Sequence, residues 1–143
     1  MTPRHYRIIA VGKIRKQWIQ KGIDEYLKRL PGLSINEIRD SNPEKESKEV
    51  VKILKKSEGL IALSEEGESL KSIDFARRLQ KLGSNKIAFL IGGAEGITNE
   101  LKNSSILKLS LSPMTLPHEI ARLILLEQIY RASTILQGGP YHR

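Results

Sequence analysis

The chain has 143 residues, no cysteine and a formal net charge of +8 at pH 7. This length suits one domain with one buried core, and the lack of cysteine excludes disulfides, thiolate metal sites and a cysteine nucleophile. No apolar run is long enough to cross a bilayer, and residues 1–5 lead into a strand pattern and not into a signal peptide. We therefore expect a single domain over residues 1–143, located in the cytoplasm without membrane contact.

The positive charge is concentrated near the start of the chain. Residues 1–30 carry eight basic side chains against only Asp24 and Glu25, whereas the remainder is close to neutral. Clustered Lys and Arg favour nucleic acid because their binding to phosphates releases counterions; the alternative is the solvated surface of a basic protein. Aromatic residues are too few to indicate a stacking platform for single strands. The basic residues are Arg4, Arg7, Lys13, Arg15, Lys16, Lys21, Lys28 and Arg29.

The first part of the chain predicts a strand, a helix and a second strand. The strand covers Tyr6–Val11, and the helix covers Lys16–Leu30 with an apolar stripe at helical spacing. Trp18 and Tyr26 fall on that stripe, so we expect both to be core residues. After Pro31 and Gly32, residues 33–38 alternate as a strand with one solvated face.

Two further helices and a short strand follow. Residues 44–57 predict an exposed, one-sided helix, and residues 59–63 predict a buried strand stopped by the polar run 64–68. Ser72 is the predicted N-cap of a helix that runs to Leu82.

An uninterrupted apolar strand, predicted over residues 86–91, runs into three glycines at positions 92, 93 and 96. Parallel sheets bind ligands at the carboxyl ends of their strands, and glycines let the backbone approach a ligand closely. The pattern therefore predicts a ligand loop or, alternatively, only a tight turn. Its spacing is not the dinucleotide fingerprint, and no Lys-Ser/Thr follows as in a phosphate-binding loop.

The last third predicts a short helix capped by Thr98, a strand over residues 106–109, a proline-rich loop over 110–117 and a helix to about Leu136. Pro117 suits the first turn of that helix, and Thr115 is a candidate cap. Residues 120–129 are apolar on more than one stripe, so this helix is either enclosed or faces another subunit. We favour a homodimer. Together the elements predict an α/β fold with a mainly parallel sheet of about five strands flanked by helices.

Several motifs, in order from end to end, make the chain resemble the RlmH family of SPOUT-class methyltransferases. They are residues 8–13 (IIAVGK), 25–31 (EYLKRLP), 91–96 (IGGAEG), 110–118 (SLSPMTLPH), 127–132 (EQIYRA) and 140–143 (PYHR). The resemblance implies a trefoil-knotted homodimer that needs no metal. It also implies methyl transfer from S-adenosylmethionine to N3 of a pseudouridine in 23S ribosomal RNA of the assembled ribosome.

The resemblance also assigns site residues. The cofactor would be bound by Leu63, Gly93 and the loop residues Ser112, Pro113, Met114, Thr115, Leu116 and Pro117. The tail residues Tyr141, His142 and Arg143 would complete the active site of the partner subunit. By charge and placement, Lys13, Arg15 and Lys16 are candidate ribosome contacts.

Three points stay open at this stage. Glu95 either faces the cofactor or is a solvated turn residue, and the identity of the proton acceptor is not fixed. The alternative function is a non-catalytic ribosome-binding protein that uses the same basic segment.

Overall fold

A computed structural model of the protein describes residues 5–83 and 86–143, so Arg4 of the basic segment lies outside the described residues. Strands and helices alternate throughout. They are β1 (Tyr6–Val11), α1 (Gln17–Arg29), β2 (Ser34–Ile38), α2 (Pro43–Ile53), β3 (Glu58–Ser69), α3 (Ser72–Leu82), β4 (Lys86–Ile91), α4 (Asn99–Ser104), β5 (Leu107–Ser110) and α5 (His118–Leu136).

All five strands are parallel and lie in the order β2-β1-β4-β3-β5. The predicted α/β fold with a parallel sheet of five strands is confirmed. Because parallel strands all end at one edge, the segments that follow β1, β3, β4 and β5 gather there. In the part of the chain that is described, no helix is both long and apolar enough to cross a membrane.

The sheet is covered on both faces. Helices α1, α3 and α5 pack on one face with Ile8 and Phe89 beneath them, whereas α2 and α4 pack on the other face over Ile9 and Leu90. Neighbouring residues in a strand point to opposite faces of the sheet. Where helices cover both faces, the buried part of a strand must therefore be apolar at consecutive positions. This explains why β1 and β4 were recognisable without alternation.

Trp18 is not a core residue, contrary to the sequence-based prediction, because its side chain is 62% exposed. The buried residues of α1 are Ile19 and Ile23. Consecutive residues of a helix are separated by about 100°, so Trp18 sits beside the buried stripe and not on it. Tyr26 is half-buried and packs against the core.

The end of α2 and the cap of α3 differ from those predicted, while the other helix boundaries agree within one residue. Helix α2 ends at Ile53 and not at Ser57, because Leu54 turns to an extended conformation and the Ile53 carbonyl accepts a hydrogen bond from Arg7. Ser72 is the first residue of α3 and not its cap, since its hydroxyl donates instead to Gln128 Oε1 on α5 at 2.8 Å. Thr98 is confirmed as a cap, with its hydroxyl accepting from the Leu101 amide.

An ion pair joins β1 to the start of β3 at the amino edge of the sheet. Arg7 donates Nε and Nη2 to the two carboxylate oxygens of Glu58 at 2.7 and 2.6 Å. Burial opposes ionisation of Glu58, but the hydrogen bonds from Arg7 and from the Lys55 amide outweigh it and hold the pKa of Glu58 below its ordinary value. A carboxylate with a lowered pKa stabilises the fold above its unfolded-state pKa, and this stabilisation is lost as the pH falls through the folded-state pKa.

We expect Glu58→Gln to lower the free energy of unfolding at pH 7 by about 1–3 kcal/mol, because Arg7 keeps its partly buried position without a counter-charge. Urea denaturation should show the difference from wild type shrinking as the pH falls below about 4. Glu49→Gln is the control, since Glu49 forms only an exposed pair with Lys52. A difference that stays constant down to pH 3 would contradict the assignment.

Strand β3 is longer than predicted and contains a four-residue bulge. It was expected to stop at Ser64, but it resumes pairing with β5, so that Leu63 and Glu68 are both opposite Leu109. Residues 64–67 between them are the bulge. A Cβ at Gly67 would lie 2.7 Å from the Lys108 carbonyl carbon and oxygen, so the backbones touch here. A bulge of this kind re-aims side chains without ending the strand.

We expect Gly67→Ala to destabilise the protein by about 1–3 kcal/mol, because the added methyl meets backbone that cannot move aside. Urea denaturation followed by circular dichroism measures the loss. Gly139→Ala is the control, since its Cβ would meet its nearest neighbour at an ordinary 3.5 Å. Equal stability of the two variants would show that the bulge tolerates a side chain.

Candidate active site

A cleft of about 610 Å³ opens at the carboxyl edge of the sheet. Three segments form its walls: the end of β3 with its bulge, the glycine loop after β4, and the loop between β5 and α5. The first turn of α5 closes one side through His118 and Ala121. Its volume lies within the range of sites for small molecules and cofactors.

The glycine loop is a tight turn whose glycines act in different ways. Gly96 alone of the three has a positive φ, of 84°, and its amide donates to the Gly93 carbonyl at 3.0 Å. A Cβ at Gly92 would lie 2.7 Å from the Ile97 side chain and 3.1 Å from the Gly96 backbone. Gly92 is therefore required by close packing and Gly96 by backbone conformation. The tight turn is therefore observed, and the loop also lines the cleft; that it binds a ligand stays a prediction.

The loop between β5 and α5 is held by its own side chains. Ser110 donates its hydroxyl to the Ser112 carbonyl, and the Ser112 hydroxyl accepts from the Met114 amide, both at 2.9 Å. Thr115 does not cap α5; it donates instead to Glu65 Oε2 on the β3 bulge at 2.9 Å. Pro117 is the residue at the N-cap position. The loop therefore has a fixed shape before any ligand binds.

The predicted cofactor residues gather at this cleft, with one exception. Pro113 belongs to the loop but does not line the cleft. Glu95, whose role was left open, is exposed and does not line it either. Sequence reasoning missed Glu65, Glu66 and Lys102, which do line it. The bulge carries the two glutamates, and no periodic pattern announces a bulge. The predicted residues that line the cleft are Leu63, Gly93, Ser112, Met114, Thr115, Leu116 and Pro117.

The tail residues lie elsewhere, against the middle of α5 and the end of α1. The Tyr141 hydroxyl donates to Glu127 Oε2 at 2.8 Å and lies 3.1 Å from the Tyr26 hydroxyl. Its ring packs edge-on against Tyr130 and under the Arg131 guanidinium. Burial, with these two hydrogen bonds, raises the pKa of Tyr141 well above its ordinary value. Tyr141 is therefore a hydrogen-bond donor and not a base near neutral pH.

His142 is held by Arg131, and Arg143 is exposed. The distance from Arg131 Nη1 to His142 Nδ1 is 3.0 Å. A guanidinium has only donors, so Nδ1 is the acceptor and the imidazole proton is on Nε2. The carboxylate of Glu127, four residues before Arg131, raises the pKa of the Arg131 guanidinium. The spacing of Glu127 and Arg131 is an i,i+4 pair, a signal that the sequence did contain.

The segment between β1 and α1 carries Lys13, Arg15 and Lys16 at the same sheet edge. The amides of Arg15 and Lys16 both donate to Glu119 Oε1, at 3.0 and 3.2 Å. The Lys16 amide is the main cause that holds the pKa of Glu119 below its ordinary value. The side chains of Lys13, Arg15 and Lys16 are all exposed.

Arg122, on α5, binds the beginning of the segment between β1 and α1. It is 3% exposed and donates to Glu37 Oε2 at 2.6 Å and to the Gly12 carbonyl at 3.0 Å. Both Glu119 and Arg122 belong to the first turns of α5, which also border the cleft. In residues 5–83 and 86–143 no three His, Cys, Asp or Glu side chains come together as a metal site would require.

Comparison with known families and sequences gives a consistent result. The family model described as "Predicted SPOUT methyltransferase" matches residues 5–142. A protein of Synechococcus sp. (strain CC9311), named ribosomal RNA large subunit methyltransferase H, is 59% identical over 143 residues, which cover 100% of this chain and 99% of the relative. A protein of Prochlorococcus marinus (strain MIT 9303) with the same name is 60% identical over 138 residues, covering 96% and 92% of the two chains.

Solved structures resemble the fold at low sequence identity. A probable methylase family protein from Haemophilus influenzae Rd KW20 has a TM-score of 0.60 at 12% identity, covering 99% of this chain and 71% of that one. The SpoU methyltransferase AviRb from Streptomyces viridochromogenes, in complex with the cofactor AdoMet, has a TM-score of 0.51 at 14% identity. That match covers 94% of this chain and 58% of the length of AviRb.

Proposed function

The chain belongs to the SPOUT methyltransferase family, and on this premise we propose that it transfers a methyl group from S-adenosylmethionine to N3 of a pseudouridine in 23S ribosomal RNA. The observation that carries the proposal is the cleft, built from the three segments that the family resemblance assigns to the cofactor. The curated relatives, matched over nearly their whole length, carry the name of a ribosomal RNA methyltransferase. The trefoil knot remains a prediction from the family.

The residues of the cleft fit the adenosyl part of this cofactor. Leu63, Met114 and Leu116 offer apolar side chains to a flat base, and the glycine loop offers backbone groups without the obstruction of a Cβ. The loop from Ser110 to Pro117 keeps its shape by internal hydrogen bonds. Less conformational entropy is then lost on binding than a flexible loop would lose.

We propose that the tail acts on the cleft of a second copy. Tyr141 and His142 lie against Glu127 and Arg131, whereas the cleft borders α5 only at His118 and Ala121. A helix rises about 1.5 Å per residue, so Glu127 lies about 9 Å further along α5 than Ala121. None of residues 141–143 lines the cleft of its own chain, which supports a tail that acts on the cleft of a second copy. The half-buried apolar side chains of α5, such as Ile120 and Ile124, are suited to a homodimer interface.

The chemistry requires positioning above all. When bound, S-adenosylmethionine would supply the methyl group: N3 would bond to the methyl carbon, the electron pair of the broken carbon–sulfur bond would stay on sulfur, and a base would take the N3 proton. The protein must hold the acceptor nitrogen in line with that bond. Arg131 and Arg143 carry several hydrogen-bond donors, which suit the carbonyl oxygens of a uracil ring. Tyr141 can donate to such an oxygen only by releasing Glu127. His142 can accept a proton at Nδ1 only by releasing Arg131.

The direct test is methyl transfer with tritiated S-adenosylmethionine to ribosomes from cells that lack this modification. Incorporation into 23S RNA, mapped to one pseudouridine by mass spectrometry, would support the proposal. The alternative is a non-catalytic ribosome-binding protein. It predicts salt-sensitive binding to ribosomes without incorporation and without affinity for the cofactor.

A further inference from the structure

Trp18 is an exposed aromatic side chain in the middle of the basic segment. It is the single tryptophan of the chain, and 62% of its surface is accessible. Lys21, three residues further along α1, shares a helix face with Trp18, and Arg15 and Lys16 lie in the segment that leads into this helix. An exposed ring beside cations offers a face on which a nucleotide base can stack while the cations contact phosphates.

The segment of residues 12–20, which includes Trp18, is held in place by hydrogen bonds within the protein. Its beginning is fixed by the bond from Arg122 to the Gly12 carbonyl. Its middle is fixed by the two amides on Glu119, and its end by the start of α1, where the Lys16 carbonyl accepts from the Gln20 amide. Because the backbone is already ordered, a partner that binds here does not have to order it.

The cations around Trp18 are available to a partner. Among the ion pairs of the described residues, none involves the side chain of Lys13, Arg15, Lys16 or Lys21. Three carboxylates lie nearby: Glu119 accepts two backbone amides, Asp24 accepts from Gln20 and Glu25 pairs with Lys28. The four unpaired cations outnumber these three negative charges. The surface therefore presents positive charge and one aromatic face.

This combination selects an RNA partner over a second copy of the chain. A symmetric contact through Trp18 would place two sets of four cations against each other, which costs energy. A polyanion instead gains from every one of these charges. Exposed aromatic rings beside basic side chains bind unpaired nucleotides, because every base offers a face for stacking.

We propose that Trp18 stacks on an unpaired base of the RNA substrate while Lys13, Arg15, Lys16 and Lys21 contact the flanking phosphates. The inference rests on the proposed function and adds a base-stacking contact to it. It also narrows the recognised element to a single-stranded or looped stretch, since the bases of a duplex are already stacked on one another.

Steady-state methyl transfer to ribosomes tests the stacking. We expect Trp18→Ala and Trp18→Leu to raise KM for ribosomes about tenfold, because stacking on one base contributes on the order of 1–3 kcal/mol. Trp18→Phe keeps an aromatic face and should stay within about threefold of wild type. Val51→Ala, at a side chain 61% exposed on α2, is the control. If the leucine and phenylalanine variants behave alike, the ring does not stack and the proposal is wrong.

Tryptophan fluorescence tests the alternative that a second copy of the chain covers Trp18. Emission comes from Trp18 alone, so acrylamide quenching across protein concentrations reports its exposure directly. Strong quenching at all concentrations supports a free surface. Blue-shifted emission that resists quenching once the protein dimerises would place Trp18 in a subunit interface and overturn the proposal.

The two proposals can fail separately. Isothermal calorimetry with S-adenosylmethionine on wild type and Trp18→Ala should give equal affinities. If the cofactor binds and ribosomes are methylated equally well by all Trp18 variants, the proposed function stands and the stacking contact falls. If the wild type neither binds the cofactor nor methylates ribosomes, the proposed function itself is wrong.

Discussion

Replacing Gly92 with alanine should lower the affinity for S-adenosylmethionine by at least about tenfold, equivalent to ~1.4 kcal/mol. The new Cβ would lie 2.7 Å from Ile97 and 3.1 Å from the Gly96 backbone. The methyl must therefore push Ile97 or open the turn that the Gly93–Gly96 hydrogen bond closes. Ile97 and the turn from Gly93 to Gly96 both line the cleft, so moving either one changes the shape of the proposed cofactor site. Isothermal calorimetry measures the loss.

Glu95→Gln is the matched control for this variant. It belongs to the same loop but is exposed and does not line the cleft, so we expect the affinity of wild type. Thermal unfolding of all three proteins shows whether the Gly92 variant keeps its fold. Retained affinity in a folded Gly92→Ala protein would move the cofactor site away from the glycine loop.

The fold was readable from the sequence because both faces of the sheet are covered. A strand such as β4, buried on each side from Ile87 to Ile91, has to be apolar along that stretch. The exceptions come from tertiary contacts. Ser72 was expected to cap α3, but Gln128 lies within reach of its hydroxyl and binds it. Trp18 has helical spacing close to that of Ile19, and only packing decides which of the two is buried.

The site was less readable, for a similar reason. The glycines and prolines mark their loops by composition, but the β3 bulge has no such mark. Its glutamates 65 and 66 line the cleft, next to Gly67, where the backbones of β3 and β5 touch. The hydrogen bonds that hold Tyr141 were also not predictable, since Tyr26 and Glu127 are far from Tyr141 in the chain. The motifs that resemble a known family supplied the tail, which neither periodicity nor charge would have singled out.

Ending the chain at Pro140 should abolish methyl transfer while cofactor affinity stays within about twofold of wild type. The residues removed make no contribution to the cleft lining, whereas they carry the hydrogen bonds to Tyr26, Glu127 and Arg131. Single-turnover transfer to ribosomes and calorimetry with S-adenosylmethionine measure the two quantities. A truncated chain with normal turnover would remove the tail from the active site.

Mixing subunits decides whether the tail acts within its own chain or on its partner. A mixed dimer of the truncated chain and the Gly92→Ala chain has one intact cleft and one intact tail, which lie on different subunits. If the tail serves the partner, that dimer contains one complete site. Random pairing should then restore roughly a quarter of wild-type activity. If the tail serves its own chain, every site in the mixture lacks either the tail or a functional cleft, and activity stays at the level of the separate variants. Recovery on mixing would therefore establish both the homodimer and the crossing of the tail, because no monomer in the mixture has both parts.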